Sequence, residues 1–344
     1  VKVLLIGGTG LISTAIVDQL VKRGDDVTVF NRGVSESRIP KSVKVLHGDR
    51  WKTQDFEDTM RQHTFDAVID MVAFAPENAE SLLRAFVGRV KHLVVCSTVC
   101  VYGGPLTKLP ATDDEPHRPV GDYGRNKSKI EKILLRTNGE SGFNTTVLRP
   151  SFTTGEGATA SGILFDDSLP NRLRQGLPVI VMDDGKAPWS IAHVSDVARG
   201  FVNCLLNPKA YGQAYHLTSD ELTTWNGVFE KLAEAVGGKF NPVHIPTHWL
   251  YEQAPHRAVG VKYIYQYGSV FDNSKAARDL DFKTTVPLVE TFKRQVAWME
   301  RAGKLKKVKD EPFEDLMIEA YQKGRKPVLP EGMDWNPWGN GTTG

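Results

Sequence analysis

Three cysteines, no long apolar run and almost no net charge set the first limits on this chain of 344 residues. Cys96, Cys100 and Cys204 are too few and too irregularly spaced for a zinc site or a disulfide framework, so a reducing, cytoplasmic setting without a metal is expected. No apolar run approaches the roughly 20 residues that cross a bilayer, and no membrane partner is expected. The first strand is expected almost at Val1, which leaves no room for a signal peptide. A formal net charge of +2 offers no broad field to attract nucleic acid. What remains, 40% hydrophobic and 24% charged, is ordinary globular composition, long enough for one large or two modest domains.

Short apolar runs alternate with helical patterns through the first half. Strands are expected at 2–6, 26–31, 44–47, 67–70, 92–96 and 144–149, with helices at 15–23, 54–62, 77–87 and 123–137. This rhythm implies an α/β fold: a right-handed, doubly wound parallel Rossmann sheet at 1–150, sharing its sheet with later segments. From 151 to 303 the rhythm loosens into a smaller α+β substrate lobe, with a helix at 167–174, a strand at 178–182, a helix at about 194–206, a strand at 215–218 and a helix at 225–236. The 304–344 extension begins Lys-rich, continues as an amphipathic helix (Phe313, Leu316, Met317, Ala320, Tyr321) and ends in a Pro/Gly/Trp tail. The tail, with Trp335-Asn336-Pro337-Trp338, is expected either to fold back over a pocket or to meet a partner subunit.

Gly7-Gly8-Thr9-Gly10-Leu11-Ile12-Ser13 follows the run Val3–Ile6 and opens a helix. Gly7 and Gly10 suit a tight turn and close backbone approach to a dinucleotide pyrophosphate at the helix N-terminus. Ser13 stands where the usual fingerprint has a third glycine. At the end of the second strand, Asn31-Arg32 replaces the acid that would bond an NAD ribose, so NADP is favoured over NAD. Asp49, in Gly48-Asp49-Arg50, is a candidate acceptor for the adenine amino group or an ordinary turn residue.

Tyr123 and Lys127 stand one helical turn apart, where an ammonium lowers a phenol pKa and readies it for proton exchange with a carbinol or carbonyl. Among nine tyrosines such a spacing is weak alone. Its company strengthens it: Ser97 and Thr98 close an apolar strand 25 residues earlier. With Gly48-Asp49, Ser97-Thr98-x-x-Val101-Tyr102-Gly103, Leu148-Arg149-Pro150-Ser151 and His193-Val194-x-Asp196-Val197-Ala198 in order, the chain resembles the extended short-chain dehydrogenase/reductase family over roughly residues 1–300, particularly its nucleotide-sugar epimerase and reductase branch.

The resemblance implies that Tyr123 is the acid/base, that Lys127 tunes it and bonds the nicotinamide ribose, and that Thr98 orients the substrate oxygen with Ser97 in reserve. It implies a cofactor set of Gly7, Gly10, Leu11, Ile12, Asn31, Arg32, Asp49, Arg50, Val72, Ala73, Ser97, Tyr123, Lys127 and Pro150. The substrate set is Thr98, Val99, Arg172 and Trp189. Relatives that perform elimination carry carboxylates directly after the threonine; this chain has Val99-Cys100, which leaves epimerisation or ketone reduction. Cys100 matches a thiol acid/base of certain sugar epimerases, but only Glu156, Asp166 and Asp167 are available as its second group between 155 and 171. Trp189 takes the place of an arginine that often meets a substrate diphosphate, and equally suits an apolar wall for a less charged substrate. His193 is expected to be structural.

Three readings follow: an NAD(P)-dependent epimerase of a sugar or nucleotide sugar, a net NADP-dependent reductase or dehydrogenase, and a non-catalytic nucleotide- or RNA-binding relative. The resemblance also implies a homodimer through the helices at 77–87 and 123–137, although the stripe Ile130, Ile133 and Leu134 equally suits packing on the sheet.

Overall fold

The computed structural model describes residues 1–34, 39–140, 142–159, 164 and 166–335. The first half runs β1 (Lys2–Ile6), α1 (Leu11–Arg23), β2 (Asp26–Asn31), β3 (Lys44–His47), α2 (Thr53–Arg61), β4 (Ala67–Asp70), α3 (Pro76–Phe86), β5 (His92–Cys96), α4 (Gly121–Arg136) and β6 (Asn144–Pro150). The second half runs β7 (Thr153–Thr154), α5 (Leu169–Arg174), β8 (Pro178–Met182), β9 (Pro188–Trp189), β10 (Ala192–His193), α6 (Val194–Cys204) and β11 (Gln213–Leu217). It continues with β12 (Thr223–Thr224), α7 (Trp225–Val236), β13 (Asn241–Ile245), α8 (Thr247–Gln253), α9 (Ser274–Leu280), α10 (Leu288–Arg301) and α11 (Phe313–Gln322).

Seven parallel strands form one sheet in the order β11-β6-β5-β4-β1-β2-β3. Val3, Leu4, Leu5 and Ile6 of β1 are fully buried, as a strand covered by helices on both faces requires. Each such side chain contributes about 1.5–3 kcal/mol of apolar burial. The chain crosses from one side of β1 to the other between β3 and β4, so a crevice opens at the carboxyl ends of β1 and β4.

Helix starts fall earlier than the apolar pattern suggests. α1 begins at Leu11, directly after Gly10 in extended conformation, because the glycine turn itself delivers the chain into the helix. α3 takes Pro76 as its first residue, where a missing N–H is harmless. α4 begins at Gly121, which places Tyr123 in its first turn. Ile130 and Leu134 on that helix are fully buried against the sheet, so the apolar stripe serves the chain's own core.

A second core gathers Trp189, Trp225, Phe229, Leu232 and Tyr265 from the later segments. Phe313, Met317 and Ile318 of α11 are buried in it, so the segment after Lys304 contributes to this core. Asn336, Pro337 and Trp338 lie outside the described residues.

Candidate active site

A cleft of about 600 Å³ runs along the carboxyl ends of β1, β2, β4, β5 and β6. Gly7 turns the chain out of β1 in the left-handed region, at φ 86°, and a Cβ there would stand 2.4 Å from Val72. Gly10 is different: a Cβ on it would meet only Ser13 Oγ, at 3.4 Å, so it leaves open space in front of the helix. No side chain caps the α1 N-terminus, and its first turn holds no acid. Leu11, Ile12 and Ser13 line the cleft there, an arrangement suited to a phosphate anion.

Asn31, Arg32, Asp49, Arg50, Val72, Ser97 and Pro150 of the expected cofactor set also line this cleft. Arg32 is exposed at its mouth. Asp49 accepts a hydrogen bond from the Trp51 backbone N–H at 3.0 Å, so it serves the turn while facing the cleft. Arg50 departs from expectation. Its guanidinium is 5% exposed, stacks 3.9 Å from the Phe56 ring centroid and donates to Asn78 O at 2.7 Å, which commits it to the packing of α2 and α3. Ala73 is fully buried in the core beside β4 and does not line the cleft. Ser97 donates its hydroxyl to Glu131, which is paired with Arg149 at 2.5 Å; the hydroxyl is therefore no reserve for Thr98.

At the inner end of the cleft, Thr98, Tyr123 and Lys127 converge. Lys127 is 1% exposed, donates to the Cys96 carbonyl at 2.7 Å, and its ammonium lies 4.7 Å from the Phe74 ring centroid. A hydrogen bond to a charged group contributes about 1.5–3 kcal/mol, less than removing an ammonium from water costs. Burial therefore wins, and the Lys127 pKa lies below its ordinary value. Burial likewise pushes the Tyr123 phenol up, with the Cys100 and Cys96 thiols adding to the rise and Thr98 opposing it. The expected lowering by Lys127 has no counterpart among the groups acting on the phenol here. In this structure the ammonium is engaged at Cys96, 5.9 Å from the tyrosine ring centroid, and burial dominates.

A second cavity, also of about 600 Å³, meets the first at Thr98, Tyr123, Ser151 and Thr153. Val99 and Trp189 of the expected substrate set line it, as does Cys100. The Cys100 thiol is pushed up by burial, which disfavours a thiolate. Glu156 is paired with His193 at 3.1 Å and buried Asp166 accepts from the Ser168 N–H at 2.7 Å; neither they nor Asp167 line this cavity. His193 Nδ1 caps α6 by accepting from the Ser195 N–H, a structural task.

Arg172 is the clearest correction. It is fully buried on α5, 2.6 Å from Asp315 and 3.5 Å from Glu314 of α11, and donates to Pro178 O at 2.9 Å. It joins the second core to α11 and faces neither cavity. Sequence reasoning missed Thr9, Trp51 and Phe74 on the first cleft, and Phe152 and Tyr265 on the second. Trp51 and Phe74 each stand close after an expected residue at a strand end, which was the available signal. Tyr265, on a short π-helical turn at Val261–Tyr265, had none.

A model of the NAD dependent epimerase/dehydratase family matches residues 3–217. The chain is 29% identical to 2'-dehydrokanamycin reductase of Streptomyces kanamyceticus over 73% of this chain and 71% of that protein. It is 30% identical to chloroplast stem-loop binding protein of 41 kDa b of Arabidopsis thaliana, over 69% of this chain but 63% of that relative's length. The structure of UDP-glucose 4-epimerase from Thermotoga maritima, solved with UDP-glucose, is similar in fold, with a TM-score of 0.73 at 22% identity over 88% of this chain and 99% of that one.

Proposed function

The chain belongs to the NAD-dependent epimerase/dehydratase family, and from that premise we propose that it is an NAD(P)-dependent epimerase acting on a sugar or nucleotide sugar through transient hydride transfer. One observation carries the reading: Thr98 and Tyr123 stand where the nucleotide-shaped cleft and the second cavity meet. The α1 N-terminus would hold the phosphates of a bound dinucleotide and Lys127 would lie at its far end, beside a substrate in the second cavity. A bound nicotinamide would supply hydride exchange at its C4, chemistry that belongs to the cofactor. The protein's own work is to hold the substrate oxygen between the Thr98 and Tyr123 hydroxyls and to move a proton to or from it.

Elimination lacks support here, because uncharged Val99 and Cys100 follow Thr98 and no carboxylate among the described residues lines the second cavity. Arg32 at the cleft mouth, with Asn31 in place of an acid, supports NADP over NAD. The same reading carries a homodimer through the outer faces of α3 and α4, and a cytoplasmic location. The intact Tyr123, Lys127 and Thr98 group weighs against a purely non-catalytic role.

A second reading, net reduction of a carbonyl, is supported by the reductase whose similarity extends over 73% of this chain. Protein purified without added nucleotide and then denatured separates the two. Release of close to one dinucleotide per chain is expected of an epimerase that recycles its cofactor. An empty protein that consumes NADPH with a keto-sugar is a net reductase. A protein that binds neither nucleotide refutes both.

A further inference from the structure

The second cavity is unlike the first in its charge. Among the described residues that line it, none is Lys, Arg, His, Asp or Glu. The nearby ions are engaged by protein groups: Glu156 with His193, and Arg257, 1% exposed, with Leu164 O at 2.8 Å, the Phe313 ring at 4.1 Å and the ring of the rim residue Trp335 at 5.7 Å.

The walls are aromatic. Phe152, Trp189 and Tyr265 line the cavity, with Trp189 and Tyr265 ring centroids 5.2 Å apart. Trp225 backs them from the core, its indole N–H bound to Tyr265 O at 3.0 Å. At the rim stands Trp335, 44% exposed. Its neighbour Asp334 accepts from the Arg257 backbone N–H at 2.7 Å, which ties the returning chain to this face.

Set into these walls are neutral polar groups with no hydrogen-bond partner among the described residues. Ser151 Oγ, Thr154 Oγ1, Ser190 Oγ and Trp189 Nε1 are all buried and unpaired, and all belong to residues lining the cavity. Buried donors and acceptors left unmatched are costly, so their presence in one wall points to a ligand that matches them. A diphosphate or ionised sugar acid would lose its hydration here and find no cation in return. A polyamine would find no carboxylate. Hydroxyl groups on a ring with apolar C–H faces suit both the unpaired groups and the aromatic walls.

We propose that the second cavity takes an uncharged polyhydroxylated ring, such as a neutral glycoside or cyclitol, and not a nucleoside diphosphate sugar. The proposal rests on the reading of Thr98 and Tyr123 as the reacting end of that cavity, and narrows its substrate. Trp335 closes the outer side of the ring, and Ser151, Thr154, Ser190 and Trp189 read its hydroxyls.

Binding measured without turnover tests it. Full-length protein, with and without saturating NADP⁺, is titrated by calorimetry with methyl glucosides and myo-inositol, and in parallel with UDP and UDP-glucose. Saturable binding of at least one neutral ring is expected, with no UDP binding to the NADP⁺-loaded protein up to about 5 mM. Trp335→Ala is expected to weaken the neutral ligand by about 10-fold while leaving NADP⁺ affinity unchanged. Saturable binding of UDP or UDP-glucose to the loaded protein below about 1 mM overturns the proposal, as does the failure of every neutral ring up to about 100 mM. Neutral-ring binding without any hydride transfer defeats the redox reading and leaves this inference standing. Hydride transfer to a UDP-sugar alone does the reverse.

Discussion

Lys127 Nζ donates to the Cys96 carbonyl at 2.7 Å, fastening the first turns of α4 to the end of β5. This bond sets the distance between the two groups proposed to meet the substrate, because Tyr123 is one turn before Lys127 and Thr98 is two residues after Cys96. The buried ammonium is thus a structural fastener as well as the cation at the inner end of the cleft. Two substitutions separate these tasks.

Tyr123→Phe removes one hydroxyl from a half-buried ring and leaves the fastener intact. Its kcat/KM is expected to fall by about 10²–10⁴-fold, with nucleotide affinity and Tm close to wild type. Lys127→Met leaves the Cys96 carbonyl without its partner but also removes a buried ammonium whose desolvation outweighs that bond, so stability is expected to change by no more than about 1 kcal/mol while activity falls. Paired denaturant melts and steady-state kinetics check both. A fully active Tyr123→Phe would remove the proposed acid/base.

Arg32→Asp exchanges the exposed cation at the cleft mouth for an acid. NADPH affinity is expected to fall at least about tenfold and NADH affinity to rise, without a change in Tm. Calorimetric titration with each nucleotide measures this. Unchanged preference would show that the 2'-phosphate, if bound, lies elsewhere.

Arg172→Ala distinguishes a core residue from a substrate ligand. Glu314, buried and pushed up to about 8 by desolvation, is largely neutral at pH 7, so the losses are the Asp315 pair and the hydrogen bond to Pro178 O, and about 1–3 kcal/mol of stability is expected to go. The KM of the remaining folded protein is expected to stay within about twofold of wild type, since the guanidinium touches neither cavity. A large rise in KM at unchanged stability would restore the substrate role.

Acid stability should depend on His92. Its Nδ1 accepts from the Leu206 N–H at 3.0 Å, so Nε2 carries the proton and donates to Thr146 Oγ1 at 2.8 Å. Burial pushes its pKa down to about 4 from the ordinary 6.5. Between those values the unfolded chain binds more protons than the folded one, so stability is full above about pH 6.5 and declines as pH falls toward 4. The loss reaches about 3 kcal/mol at the lower end. His92→Gln is expected to be less stable at neutral pH and to show a shallower acid limb in melts from pH 7 to 4.

Much of this site was legible as pattern. The Val/Ile/Leu runs of β1, β4 and β5 needed only the rule that strands covered on both faces are largely apolar. Gly7, Gly10, Tyr123, Lys127 and Thr98 were visible because each sits at a fixed offset from a strand end. Charged side chains were harder. Arg50 and Arg172 carry the same guanidinium as Arg32, and sequence spacing does not say that Phe56 or α11 waits to receive them. The residues that give the second cavity its character were also hidden. Ser151 with Thr154, Ser190 and Tyr265 come from three separated segments, and only the folded chain shows that they line one cavity. Trp335 was noticed for its setting in the tail, but its place at the rim depends on the Asp334 contact 77 residues away in sequence.

The most direct test of hydride transfer assisted by the Tyr123 proton is isotopic. Protein loaded with NADPH deuterated on the transferable face of C4 is mixed with a panel of keto-sugars, and the recovered sugars are analysed by mass spectrometry. The account predicts deuterium at a single carbinol carbon with wild-type protein, and its loss with Tyr123→Phe while the nucleotide remains bound. Products formed without deuterium, or labelled equally by the variant, would contradict it.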